Sequence, residues 1–440
     1  MAALLTKPKP DQPAHEQPPI SILACGGNLP LEIAQTLRRN GRRTNIVRIA
    51  GMADANYEGF AATSVGIGRI GTMLVALRSH GAREMVIAGH ARRPDLRKLM
   101  IDRGFVRNIG TILSLTRGGD DQVLRRVAAF FERNGLNVRS IADIAPDLLT
   151  PAGVLTGNVS PAGQSAAARG IRLVHKLGSY DVGQAVVVDH RDSVAIEGAE
   201  GTDGLLERLP PIESVCRRDG NTRVLIKAAK PNQDQRVDLP TIGTETIEKC
   251  AKADIGTIAL EAGRSLIIAR NETIKKAEDL GIAIVGLPGL ALSDDNALQV
   301  ADTPRLPKLL SHARRLPHPQ FRRDARKGLH LLKNLHGDVS IKAVLVSREN
   351  ILAIDVDETM NTFIERSEKL AQWSDRREKS KRNRTLVVAM PGALGPEVFR
   401  ALRSTKVAGV ALMTVENEPS LLDELIEFAN AENYFVLSPQ

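Results

Sequence analysis

The sequence predicts an α/β protein: a Rossmann-like N-terminal domain, then a mixed α/β domain, then a degenerate repeat of that second domain. Three observations carry the prediction. Short apolar runs alternate with helical, glycine-ended runs from Ile20 to about residue 149. Residues 150–288 mix strand pairs with helices, and the apolar pattern of that segment returns after residue 323. A chain of 440 residues, 42% hydrophobic and 25% charged, is long enough to bury two or three separate cores.

In the first segment, ISILAC reads as a strand, followed by the turn GGNLP and the helical run LEIAQTLRRNG. TNIVRIAG is a second strand, TMLVALRSHG a helix, EMVIAG a third strand, and NVRSIAD one more. Between the last two, DDQVLRRVAAFFERNG has carboxylates in its first turn and glycine at its end, the polarity of an amphipathic helix. Strands alternating with helices imply a parallel sheet covered on both faces. Gly66, Gly68 and Gly71 spell GxGxxG, but the strand before them, FAATSV, is weak and is not the first of the fold, so the context for a dinucleotide site is poor. CGGNLP is the better ligand loop, because paired glycines let backbone approach a ligand and a helix N-terminus follows. Arg92 and Arg93 follow the end of a strand, where open α/β sheets bind ligands.

In the second segment DVGQAVVV and SVAIEG read as adjacent strands, and GTDGLLERL as a helix capped by Thr202 or Asp203. TRVLIKAAK is a strand, GTIALEAGRSLII a strand–turn–strand, ETIKKAEDLG a helix and IAIVGL a closing strand. Residues 289–322 read as a basic linker and 323–440 as the repeat. VAIEGAEGTDGLLER (194–208) lies over LAIDVDETMNTFIER (352–366) without a gap, at an offset of 158. The same offset carries GIRLVHKL onto GLHLLKNL, and an offset of 152 carries IGTIAL onto VAGVAL. Apolar positions correspond and polar ones do not: Asp203 becomes Asn361, and the loop Lys230–Gly243 shrinks to PGALG (391–395). The expectation is a duplicated domain that kept its core and lost its chemistry.

Bulk properties exclude several classes. Aromatics at 3% leave little for a base-stacking platform, and no nucleic-acid module accompanies the net charge of +9. Cys25, Cys216 and Cys250 are too widely spaced for a disulfide framework or a metal cluster, and the nine histidines show no HxxxH or HExxH spacing. Residues 1–19, rich in proline and polar groups, read as a disordered tail rather than a signal peptide, so the expected location is cytoplasmic. Between Arg305 and Lys333 nine Lys or Arg face one Asp, which suits either a solvated linker or a patch for anionic lipid headgroups.

The densest chemistry is KAAKPNQDQRVDLPTIG, residues 227–243. Asp234 and Asp238, four residues apart on a loop bounded by Pro231 and Pro240, suit a hard cation such as Mg2+, or one of them suits a general base. Lys227, Lys230 and Arg236 suit phosphoryl oxygens, the arginine as a bidentate fork. Exposed ion pairs contribute only about 0–1 kcal/mol, too little to explain so rigid a loop as a structural device. Asp181 and Gln184 face the same cleft in this reading, and Glu261 and Arg264 form an ion pair at a turn.

The motifs GGNLP, AGHARRP, GDDQVLRRVAAFFE, GVLTG, DVGQAVVV, EGTDGLL, KAAKPNQDQRVDLPTIG and ALEAGRSLII occur in that order, and over residues 20–287 the chain resembles the UDP-2,3-diacylglucosamine pyrophosphatases of the type unrelated to calcineurin-like phosphatases. The resemblance implies Mg2+-dependent hydrolysis of UDP-2,3-diacylglucosamine to UMP and 2,3-diacylglucosamine 1-phosphate, a step of lipid A synthesis in Gram-negative bacteria. It also implies substrate in a cleft between a Rossmann-like domain and a distinct second domain. By motif, Asp238 falls on the essential aspartate, and Lys227 and Arg236 join it in catalysis. Lys227, Lys230, Gln233, Asp234 and Arg236 line the diphosphate, Thr202 and Asp203 face them, Gly27, Asn28 and Leu29 serve the substrate from the first domain, and Arg93, Gln184 and Thr241 complete the expected substrate-binding set. Asp234 and Asp238 are the expected metal ligands. A diacylated substrate gives the basic stretch a use, peripheral docking on an anionic inner membrane. Cys25 departs from the small residue usual there, and the last 150 or so residues are extra; a homo-oligomer is compatible with both. The rival from another class is a non-catalytic nucleotide-sugar- or lipid-binding regulatory protein.

Overall fold

The apolar run at the head of the N-terminal segment folds as a fully buried strand, β1 (Ile20–Ala24). The computed structural model describes residues 17–91, 99–114, 120–189, 193–209, 223–231, 233–288, 308–356, 358–370, 382–389, 394–414 and 419–440. The chain divides into two units, Met1–Leu148 and Leu149–Gln440.

In the first unit β1 is joined by β2 (Thr44–Ile49), β3 (Ala62–Val65), β4 (Glu84–Ala88) and β5 (Asn137–Val138), in the order β3-β2-β1-β4-β5. Every pairing is parallel. The helices with described ends are α1 (Leu29–Arg39), α2 (Ile70–Leu77), α3 (Arg103–Arg107), α4 (Ile109–Ser114), α5 (Asp120–Arg133) and α6 (Ile141–Ile144). The strand order reverses between β1 and β4, the place where such sheets open a crevice at their carboxyl ends. Backbone bonds lock the two loops there: Cys25 N donates to Ala88 O at 2.9 Å, while Gly26 and His90 exchange a pair at 3.0 Å each. Gly89, at φ +90°, fits because a Cβ would lie 2.4 Å from Gly26 O.

One expectation needs correction here. NVRSIAD is not all strand: β5 stops at Val138, and Ser140 caps α6 by accepting from Asp143 N at 3.1 Å. FAATSV does form β3, an edge strand, and of the glycines after it Gly68 and Gly71 serve packing, while a Cβ on Gly66 would meet nothing within 4 Å. The Asp102 carboxylate accepts from Gly71 N at 3.1 Å and Thr72 N at 2.9 Å, filling the N-terminus of α2, and from Phe105 N at the start of α3. A Cβ on Gly104 would lie 2.2 Å from Gly71 N, and one on Gly68 would lie 2.6 Å from Met100 O. The GxGxxG spacing is thus a close helix–helix contact sealed by a carboxylate.

The second unit holds two six-stranded sheets. The first is built from β6 (Gly153–Thr156), β7 (Ala185–Val188), β8 (Ser193–Ile196), β9 (Arg223–Lys227), β11 (Ile255–Ala262) and β13 (Ala283–Pro288), in the order β6-β13-β11-β9-β7-β8. The short strands β10 (Thr241–Ile242) and β12 (Leu266–Ile267) pair separately. The second uses β14 (Leu309–Ser311), β15 (Ala343–Ser347), β16 (Asn350–Asp355), β17 (Arg384–Val388), β18 (Val407–Leu412) and β19 (Phe435–Pro439), in the order β14-β19-β18-β17-β15-β16. Each neighbouring pair has the same orientation as its counterpart.

The agreement reaches single residues. A buried arginine opens the fourth strand of each copy, Arg223 of β9 and Arg384 of β17, and the register slips at the same place beside it. The long helices α7 (Pro161–Gly178) and α11 (Pro319–Leu335) carry equivalent glycines. A Cβ on Gly170 would meet Ile226 Cδ1 at 2.5 Å, and one on Gly328 would meet Val387 Cγ2 at 2.5 Å. The remaining described helices are α8 (Gly201–Glu207), α9 (Thr244–Lys252), α10 (Arg270–Asp279), α12 (Met360–Lys369), α13 (Pro396–Arg403) and α14 (Pro419–Glu432). One hydrophobic core takes residues from both copies, Ile171, Val174 and Leu177 of α7 together with Leu329, Leu332 and Leu335 of α11.

The basic stretch is structure rather than linker where it is described. Leu309–Ser311 is an edge strand, and Arg322 donates to Leu309 O and Ser311 Oγ at 3.0 Å each. Arg323 pairs with Glu349 at 2.8 Å. Thr202 and Asp203 do not cap α8: its N-cap is Glu200, and both lie in the first turn.

Candidate active site

β9 delivers Lys227 at its last residue, and the chain turns away through Ala228–Lys230 to Pro231. Lys227 is 6% exposed, and its ammonium donates to the Thr241 carbonyl at 2.9 Å. No carboxylate is paired with it among the described residues. A buried cation needs compensating charge, so this ammonium points to an anionic ligand. Lys230, 9% exposed, pairs with Asp181 Oδ1 at 2.8 Å. Asp181 reaches it from αL backbone at φ +59°, just before β7.

The loop closes on itself through Gln233. Its Oε1 accepts from Lys230 N at 3.0 Å, while its Nε2 donates to Asp238 Oδ2 and, at 3.3 Å, to Gln184 Oε1. Gln184 N donates to Glu197 Oε2 at 2.6 Å, and Thr202 Oγ1 donates to Glu197 Oε1 at 2.9 Å. One connected path therefore joins Asp238, Gln233, Gln184, Glu197 and Thr202. Glu197 is the residue that sequence reasoning missed; its signal was a carboxylate directly after the buried Ala195 and Ile196 that end β8. Glu261 supports the loop from below. It accepts from Ala229 N at 3.0 Å and from Arg264 at 2.9 Å, with His175 Nε2 at 3.5 Å. Burial would raise its carboxyl, but the His175 and Arg264 partners hold it below the usual carboxylate range.

Other expected site residues are placed differently. Asp234 turns both oxygens to Arg236, Oδ1 to Nε at 2.8 Å and Oδ2 to Nη2 at 2.7 Å, a bidentate pair within the loop. Asp203 is 65% exposed and pairs with Lys249 of α9 at 2.8 Å. Thr241 enters through its carbonyl, its hydroxyl donating to Leu239 O at 2.8 Å. Gly27, Asn28 and Leu29 belong to the other unit, where Gly27 N donates to Asp54 Oδ1 at 2.7 Å and Asn28 is the N-cap of α1. Arg92 and Arg93 lie outside the described residues, as does Cys216. Cys25 and Cys250 are buried free thiols, pushed up by burial to about 11 and about 12, and inert on that account.

Residues 19–148 match the model of the LpxI N-terminal domain, and residues 151–285 match that of the LpxI C-terminal domain. The UDP-2,3-diacylglucosamine pyrophosphatase LpxI of Caulobacter vibrioides is 36% identical over 272 residues, covering 97% of that protein and 61% of this chain. The chain belongs to the LpxI family. Every member of the Asp238–Thr202 path falls inside the segment matched by the LpxI C-terminal domain. The second copy lies beyond both matches. At the offset of 158, Lys342, Glu358, Met360 and Asn361 of that copy stand where Gln184, Glu200, Thr202 and Asp203 stand in the first. They line a cavity of about 200 Å³ with Glu397 and Val398. The fold and a hollow persist there, but the glutamine and the threonine–aspartate pair do not. Residues 390–393, which include most of the shortened loop, lie outside the described set.

Proposed function

We propose that this LpxI-family chain hydrolyses the diphosphate of UDP-2,3-diacylglucosamine, giving UMP and 2,3-diacylglucosamine 1-phosphate. The observation that carries the reading is Lys227, a buried ammonium bonded to a neutral carbonyl, on the same 227–243 segment as a carboxylate held by Gln233, which is itself tied to Gln184. Lys227 and Lys230 supply positive charge to the diphosphate oxygens, where one well-placed donor contributes about 2.7–4 kcal/mol to the transition state. Asp238 directs and deprotonates the attacking water, a role that contributes about 10²–10⁴ in rate. Gln233 Nε2 fixes the Asp238 carboxylate, and Gln184, tied to Glu197, fixes Gln233.

Mg2+ is part of the proposal. Among the described residues no group of three or more His, Cys, Asp and Glu could hold a metal. A sparse pair of carboxylates nevertheless suits Mg2+, which takes one or two carboxylates and draws the rest of its shell from substrate phosphates and water. Asp238 and Asp234 would hold it, the latter shared with Arg236; bound there, it neutralises charge on the departing phosphate. UMP release from UDP-2,3-diacylglucosamine is expected with Mg2+ and not with excess EDTA. Release unaffected by EDTA would remove the metal from the reading, and no release from folded protein would remove the activity.

We place the diacyl substrate at a lipid surface. No described helix is long and apolar enough to cross a membrane, but Leu316 is 74% exposed beside the exposed Arg314. Leu316→Glu with Arg314→Glu is expected to weaken flotation with anionic liposomes; unchanged flotation would refute this docking face.

A further inference from the structure

The two copies in the second unit meet through contacts that are exchanged by the repeat itself. At the offset of 158, Glu200 corresponds to Glu358 and Arg208 to Arg366. These four residues form one cluster: Arg208 binds Glu200 at 3.1 Å and Glu358 at 3.0 Å, while Arg366 binds Glu358 at 2.7 Å and Glu200 at 3.2 Å. All four are at most 13% exposed. Each arginine thus bridges its own copy's glutamate and the other's, as in an isologous contact between two subunits. The same exchange recurs at the ends of the long helices. Lys176 of α7 binds Asp338 at 2.6 Å, and Asn334 of α11 donates to the Tyr180 hydroxyl. At the offset of 158, Lys176 maps to Asn334 and Tyr180 to Asp338, so each contact is the image of the other. The shared core of α7 and α11 residues joins the same two copies.

The interface reaches the site. Ala199 N donates to Leu352 O at 2.9 Å, and Gly198 permits the approach because a Cβ there would lie 2.6 Å from that oxygen. Ala199 and Glu200 lie between Glu197, which holds Gln184, and Thr202, which binds Glu197.

We infer that the C-terminal copy is a built-in partner subunit: within one chain it takes the place of a second catalytic domain across a pseudo-twofold axis, and through Arg366 and the Leu352 carbonyl it positions the Glu197–Asp203 segment. Loss of its own catalytic loop follows naturally, since a partner that only supports needs the interface and the core. Arg366 is a positioning residue and touches no substrate.

The kinetic arm of the test rests on the proposed hydrolysis; the exchange arm does not and is read without substrate. In full-length Arg366→Ala, amides of residues 199–206 are expected to exchange at least tenfold faster while those of β17 and β18 are unchanged. KM for UDP-2,3-diacylglucosamine is expected to rise about tenfold with kcat within twofold, and Arg366→Lys to restore KM to within about threefold of wild type. Specific activity is expected to stay constant on dilution from micromolar to nanomolar chain. Unchanged exchange at 199–206 in Arg366→Ala, unchanged KM, or activity lost on dilution would each overturn the inference. If wild type proves inactive on this substrate, the exchange measurement still decides it.

Discussion

Gln233 shows how much of the site depends on one uncharged side chain. It is 6% exposed and bridges Lys230 N, Gln184 and Asp238. Gln233→Ala is expected to lower kcat about tenfold or more with little change in thermal stability; full activity would remove the glutamine bridge from the mechanism. The charged members of this loop were legible in the sequence because opposite charges between two prolines stand out. The bridge was not, because which atom of a glutamine meets which carboxylate is set by tertiary approach. Glu197 was missed for the same reason, and its counterpart Asp355 makes a pH prediction. Asp355 is fully buried, with Oδ2 lacking a partner and its carboxyl raised by burial to about 6. An acid raised in the fold binds its proton more tightly there than in the unfolded chain. Its charge therefore erodes stability as pH rises from about 4 to about 6, by about 1.4 kcal/mol for each pH unit crossed. Asp355→Asn is expected to raise the melting temperature relative to wild type increasingly across that window; a difference independent of pH would contradict this.

Elements were read well where hydrophobic period and capping agreed, and poorly where tertiary partners intervened. β1, α1, β2, β4 and α5 follow directly from apolar runs and glycine stops. The β3–α2 junction did not, because Gly71 answers to Gly104 of α3, a helix of five residues with no strong signal of its own. Gly104→Ala is expected to destabilise the N-terminal unit by about 1–3 kcal/mol, the range for forcing extra atoms into a packed contact. A denaturant midpoint equal to wild type would show that the two helices part easily. The basic stretch failed as a linker for a related reason: Arg322 ties the β14 edge strand to α11, so charge counted along the sequence says little about charge left facing solvent.

Across the whole molecule, the repeat was visible in the sequence as constant offsets, and the structure returns it as two sheets with identical strand order and orientation. What an offset could not show is that the copies face one another, since a pseudo-twofold contact becomes apparent only when Arg208 and Arg366 are seen to share both glutamates. The chain thus combines the two LpxI domains with a third segment that has kept the fold and shortened the loop corresponding to residues 230–243. The central claim is that chemistry resides in the first copy, at Asp238, and it is tested most directly by UMP release from UDP-2,3-diacylglucosamine with Mg2+, comparing wild type with Asp238→Asn, which keeps the side chain's size. The account predicts UMP from wild type and a loss of at least about a hundredfold in the variant; equal rates in the two would place the water-activating group elsewhere and contradict it.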